Sequence, residues 1–283
     1  MPGRVLTHPT MARRRFREIA DQSEAVLDLT EASLVIALEE YPALQIDQYL
    51  QRIDVWSDAI RERIEGSRDV EKVVAEINRF LFEQEGFHEE TDDYYDPRFA
   101  FLNEVIDRHA GTPITLSIVY IEISRRLGFP MTGVSLPGHF LVKLAGTWGE
   151  ILIDPAEDGR ILSTGECQKL LDQIYGGGIK LREHHLRSVS KREILGRLLA
   201  HLKSVYMSRH DLAGAVSAID RILVLDERDP FELRDRGILA MQIHAYREAI
   251  DFLTRYLEIA PYAEDRQMVR DQIDYLRAWL DLN

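Results

Sequence analysis

Apolar residues recur at helical spacing through the first third of the chain. Leu27, Leu29, Ala32, Leu34, Val35, Ile36 and Leu38 form a broad stripe that Pro42 closes. A second helix is expected from about Gln45, with Tyr49, Leu50, Ile53, Trp56 and Ile60 three and four residues apart. A third is expected over about 70–82, with Val73, Val74, Ile77, Phe80 and Leu81, and Gly86 ends the pattern. The segment 89–98, Glu-Glu-Thr-Asp-Asp-Tyr-Tyr-Asp-Pro-Arg, reads as a turn, and helix is expected again over about 98–109. From Thr112 to Gly128 the apolar residues lie all round the helix: Ile114, Leu116, Ile118, Val119, Tyr120, Ile121, Ile123 and Leu127. A helix apolar on nearly every face belongs in the middle of its domain. Thr112 suits an N-cap and Pro113 the first helical position.

The period then changes. The runs 132–136, 139–144 and 150–153 are short and β-leaning, separated by Pro137-Gly138 and a glycine-bounded turn at 146–149. They predict three strands of a small antiparallel sheet. Ser163 and Glu166 have capping-box spacing and should open a helix to about Ile174. After about Val189 the chain is helical again and repeats itself. Ala218-Ile219-Asp220 matches Ala249-Ile250-Asp251, and Pro230 matches Pro261, each pair 31 residues apart. Gly237, Ala249 and Pro261 follow one another at intervals of 12, the small-residue pattern of tetratricopeptide hairpins. In the first unit Tyr206 occupies the glycine position. Two degenerate repeats and a closing helix over about 265–282 are expected. The fold class is therefore α+β: an N-terminal helical region (1–93), a core with an antiparallel sheet (94–188), and all-α repeats (189–283).

Composition narrows the function classes. Lys and Arg number 35 against 48 Asp and Glu, a net charge of −13 that opposes general affinity for nucleic acid or anionic lipid. A single cysteine, Cys167, leaves no internal disulfide and no paired-cysteine zinc or redox site. With no apolar run of about 20 residues, a cytoplasmic protein without a membrane segment is expected. Arg13, Arg14, Arg15 and Arg17 lie in a stretch (1–21) with no apolar segment behind them, which predicts a solvated arm or a basic first helical turn rather than a secretory signal. No motif for a cofactor or resident metal is present; His184-His185 lacks companion ligands.

Candidate chemistry centres on His139, in Pro137-Gly138-His139-Phe140-Leu141-Val142, and Asp154, in Ile153-Asp154-Pro155. Neighbouring antiparallel strands can bring the two together at one sheet end. An aspartate accepting from a histidine nitrogen fixes the ring's tautomer and orientation, as in the base half of a nucleophilic triad. A purely structural strand-end pair has the same pattern. Glu122 is the odd residue of the apolar helix. It needs a partner, from Arg125, Arg126 or Arg108, or else it is a functional acid. Glu89, Glu90, Asp92, Asp93 and Asp96 read as loop and cap carboxylates, with a hard-cation site as the alternative.

The motifs Tyr94-Tyr95-Asp96-Pro97-Arg98, Phe101-Leu102-Asn103-Glu104-Val105, Gly111-Thr112-Pro113-Ile114-Thr115-Leu116-Ser117, Arg125-Arg126-Leu127-Gly128 and Pro137-Gly138-His139-Phe140 closely resemble the bacterial SirB type of transglutaminase-like protein. The resemblance covers nearly the whole chain and is most specific over 94–154; Phe99-Ala100 departs from the polar pair expected there. It implies a papain/transglutaminase-like core followed by tetratricopeptide-like helices. It also implies a triad whose cysteine follows Gly-x at a helix N-terminus, about 15 residues before the helix-ending glycine. Counting back from Gly128 gives Pro113, which has no nucleophile. Ser117, one turn deeper on the same face, and Cys167, beyond both His139 and Asp154, are the replacements available. The implied cleft would be lined at Asn103, Thr112, Pro113 and Glu122. Three readings follow: a non-catalytic adaptor binding a protein or peptide through cleft and repeats; a hydrolase or acyltransferase using Ser117 or Cys167 with His139 as base; or a metal- or ligand-responsive regulator using His139, Asp154 and nearby acids.

Overall fold

The computed structural model describes residues 9–93, 95–146 and 149–282. Tyr94 of the expected turn, residues 147–148 of the glycine-bounded turn and the first eight residues of the basic stretch lie outside them. The chain divides into two compact units, Met1–Leu198 and Leu199–Asn283.

The first unit opens with helices α1 (Pro9–Ala20), α2 (Leu29–Ala37), α3 (Ile46–Ile64) and α4 (Val70–Asn78), the last continued by a π-helical turn, Arg79–Gln84. Of the two forms expected for the basic stretch, the helical one is found for Arg13, Arg14, Arg15 and Arg17. Its charges are spaced around a core stripe of Ala12, Phe16, Ile19 and Ala20, all buried. Asp28 and Asp69 cap α2 and α4 by accepting from Glu31 N (2.9 Å) and Glu71 N (3.0 Å). A two-residue parallel pair follows, β1 (His88–Glu89) with β2 (Ala110–Gly111). Between them the single helix expected over 98–109 is broken into a 3₁₀ turn, Pro97–Ala100, and α5 (Leu102–Arg108). The break is at Phe101, whose backbone is extended (φ −90°, ψ 121°).

Helix α6 (Pro113–Arg126) is buried without interruption from Ile114 to Ser124. It packs against α2, α3, α4 and α5 on one side and the sheet on the other. Thr115 Oγ1 accepts from Thr112 N (2.9 Å) and donates to Phe99 O (3.1 Å), so the cap is made by a threonine pair. Among the described residues the sheet has four strands in sequence order, all antiparallel: β3 (Thr132–Val134), β4 (Leu141–Gly146), β5 (Gly149–Asp154) and β6 (Arg160–Leu162). The last is a strand beyond the three expected. Its three residues are too few to show alternation. Val134, Leu141, Leu152 and Leu162 share one face and join Cys167 and Leu171 of α7 (Thr164–Tyr175) in an apolar cluster. Val142 and Ile153 alternate with them and are buried on the opposite face. The Ser163/Glu166 capping box forms as expected. Helix α8 (Lys191–Ser208) carries the boundary between the units.

The second unit holds α9 (Leu212–Leu225), α10 (Pro230–Gln242), α11 (Tyr246–Ile259) and α12 (Arg266–Leu282). Asp229 caps α10 with Pro230 at its first position. Ala218 and Ala249 are fully buried where helices meet. Gly237 lies so close to α11 that a Cβ would come within 2.6 Å of Leu253 Cγ. In the first hairpin the exchange is reversed: the Tyr206 ring lies over Gly214, where a Cβ would meet it at 2.5 Å. The tyrosine in the glycine position is compensated by a glycine on the facing helix.

Candidate functional site

The turn Leu136–His139 has proline then glycine at its centre, Gly138 at φ +72°, and is closed by His139 N donating to Leu136 O (3.0 Å). Pro137 presets one dihedral and Gly138 takes the left-handed one, which fixes where His139 leaves the turn. His139 therefore sits two residues before β4, not at its head. Asp154 closes β5, and its side chain also accepts from Ala156 N (3.0 Å), capping the 3₁₀ turn Pro155–Glu157. That turn is tied to α4. Asn78 Nδ2 donates to Gly159 O (2.8 Å) while Asn78 Oδ1 accepts from Tyr120 OH of α6 (2.9 Å).

The pairing of β4 with β5 brings the two residues together. His139 Nε2 lies 2.9 and 2.8 Å from the two oxygens of Asp154. Asp154 is fully buried and His139 is 9% exposed. With Nε2 committed, Nδ1 has no hydrogen-bond partner among the described residues. Burial alone would lower the imidazole pKa. The hydrogen bond and charge of Asp154, with the charges of Glu89 and Glu157, outweigh it and raise the pKa above the ordinary histidine value.

Glu89 is the site residue that sequence reasoning placed in a solvated loop. The β1–β2 register sets it opposite Gly111, one residue before Thr112, and β1 packs against the turn after Asp154. Half-buried, its carboxyl pKa is raised, first by burial and then by Asp154 and Glu157, with His139 opposing. A two-residue strand has no periodicity to announce it. The neighbouring acids behave as expected of caps: Asp96 accepts from Arg98 N (2.9 Å) and Glu90 from Asp92 N (2.8 Å).

The other candidates separate by place. Pro113 heads α6 and is half-buried, whereas Gly111, Thr112 and the residues from Ile114 to Ser124 are buried. Thr112 is the N-cap. Ser117 is fully buried, and its Oγ has no hydrogen-bond partner among the described residues. Asn103 is buried on α5 with Oδ1 likewise unpartnered. Cys167 is fully buried in the apolar cluster, and burial, then Asp154 and Glu166, push its thiol pKa up. Neither Ser117 nor Cys167 shares a hydrogen bond with His139. Glu122 takes the ion-pair alternative: its Oε2 meets Arg126 Nη1 at 2.7 Å, Arg125 Nη2 at 2.8 Å and Thr30 Oγ1 at 3.2 Å. No described helix is long and apolar enough to cross a membrane.

Comparison with known proteins agrees with this architecture. Residues 47–200 match the transglutaminase-like superfamily, and residues 202–274 match the tetratricopeptide repeat. A UPF0162 protein of Xylella fastidiosa (strain 9a5c) is 35% identical over 261 residues, covering 91% of this chain and 93% of its own length. A UPF0162 protein of Vibrio cholerae is 29% identical over 91% of this chain and 96% of its own. Protein SirB1 of Salmonella typhimurium is 22% identical over 86% of this chain and 89% of its own.

Proposed function

Because this chain belongs to the transglutaminase-like superfamily, we propose that it is a non-catalytic member, an adaptor that holds a protein or peptide in the cleft beside His139 and against its tetratricopeptide repeats. The observation that carries this reading is the company His139 keeps. Three carboxylates raise its pKa, and no cysteine or serine is hydrogen-bonded to it. A general base must be neutral to take a proton. A raised pKa favours the charged form instead, and with Nε2 held by Asp154 that form presents Nδ1–H as a donor. A donor held this way suits recognition of a backbone carbonyl or side-chain oxygen. Helical repeats of the kind matched at residues 202–274 commonly present an extended concave surface to partners.

The test is site-directed photo-crosslinking in cells. A photoreactive residue at Glu157, exposed beside the pair, should trap a defined partner, whereas one at Val55, exposed on α3, should not. Equal trapping from both positions would overturn the reading. So would turnover of an acyl or peptide substrate by the purified protein that Ser117→Ala abolishes.

A further inference from the structure

The C-terminal end of α6 borders a cavity of about 640 Å³. The helix has 14 residues, so this cavity lies about 21 Å along it from Pro113 at a rise of ~1.5 Å per residue. Its floor is Ile64 and Leu127, both buried. Its walls are Val70, Phe129, Leu144 and Ile151, four apolar side chains that the fold leaves half-buried. The volume falls in the range of small-molecule sites, roughly 300–1,000 Å³.

The charges around it are one-sided. Among the described residues Arg61 and Arg68 line the cavity and no carboxylate does, in a chain whose net charge is −13. Arg61 is held in place: it donates to Arg126 O (2.7 Å) at the end of α6 and pairs with Asp58. Arg68 is exposed on the Gly66–Arg68 turn and makes no ion pair among the described residues. An apolar chamber with a guanidinium at its rim complements a molecule with an apolar body and one anionic head. The planar guanidinium fork matches a carboxylate bidentately.

We propose that this cavity binds a small organic acid, its acyl or aromatic body against Phe129 and Ile151 and its carboxylate on Arg68. The site is separate from the His139 cleft and does not depend on the reading of that cleft. The test titrates the full-length ¹⁵N-labelled protein with decanoate and with decanol, below micelle-forming concentrations. Decanoate should give saturable shifts confined to residues 61–70, 127–130, 144 and 149–151, with affinity about tenfold above decanol's. Arg68→Glu should remove that preference and leave decanol binding unchanged, and Ile151→Trp should block both. Three results overturn the proposal: no saturable shift in those segments, equal affinity of the wild type for acid and alcohol, or an unchanged decanoate affinity in Arg68→Glu. The wild-type map decides the question even if Ile151→Trp does not fold.

Discussion

Among its described residues the protein buries two carboxylates completely, one at each end of its central helix, and treats them oppositely. Glu122 is on the last turns of α6. Two guanidinium groups and a threonine hydroxyl use it up, and Arg125 and Arg126 are themselves anchored to Asp28 and Asp54. Asp154 lies at the end of β5 and spends its oxygens on one imidazole and one backbone N–H. The first arrangement is closed on itself, with both cations shared among acids. The second ends on a ring nitrogen that has no hydrogen-bond partner among the described residues. Burial of a charge is thus no sign of function by itself. What separates the two ends is whether the partner still has something to offer.

The largest expected effect is at the closed end. Replacing Arg125 and Arg126 together by Ala strands a fully buried carboxylate with only Thr30, at a cost of about 3–5 kcal/mol in urea unfolding. A cost under ~1 kcal/mol, the range of an exposed pair, would mean the network is not closed at all. Asp154→Ala should cost less, about 2–3 kcal/mol near pH 6, since a histidine stripped of its acid can simply lose its proton. Its pH dependence has a definite sign. The imidazole pKa is raised on folding. The pair's contribution is therefore complete below the unfolded value of about 6.5 and is lost as pH rises through the folded value. The penalty of Asp154→Ala should shrink between about pH 6 and pH 9; a penalty flat across that range would show that His139 does not titrate as described.

A chemical probe sharpens the same contrast. Pro113→Cys places a thiol at a helix N-terminus, where its pKa should fall, while Cys167 stays buried with its thiol pKa pushed up. Alkylation near pH 6 should modify the introduced thiol at least ~10 times faster than Cys167. Comparable rates would remove the case that Pro113 occupies a nucleophile's place. The smallest effect belongs to Ser117→Ala. It deletes a buried hydroxyl that has no partner, so stability should stay level or rise by up to about 1 kcal/mol. A loss above ~1 kcal/mol would reveal a bond that the fold conceals.

What the sequence conveyed well was carried by period and by pairs of residues at fixed spacing. The all-round apolar run announced α6, the Ser163/Glu166 spacing announced α7, and the β-runs flanking Pro137-Gly138 set His139 beside Asp154. What it concealed had physical reasons. In α1 the four arginines hide a stripe of Ala12, Phe16 and Ile19, and pairs such as Arg15–Glu31, at 2.7 Å, offset charge that looks unopposed along the chain. Glu89 reaches the site through a strand two residues long, whose position depends on a partner some twenty residues away. The tie from Asn78 to Gly159 joins residues 81 apart through one amide, which no local pattern encodes.

The burial of α6 also has a consequence for how the chain is made. Its surroundings come from both directions: α2 to α5 precede it, and β3 and β4 follow it. As the ribosome delivers the chain, the faces of α2 to α5 that pack on α6 lack their partner until residues 113–126 are out. That segment then stays uncovered on its far side until the sheet arrives. Nascent chains that stall just after α6 display the longest unbroken run of residues that the finished unit buries, and they are the species that chaperones and proteases would meet.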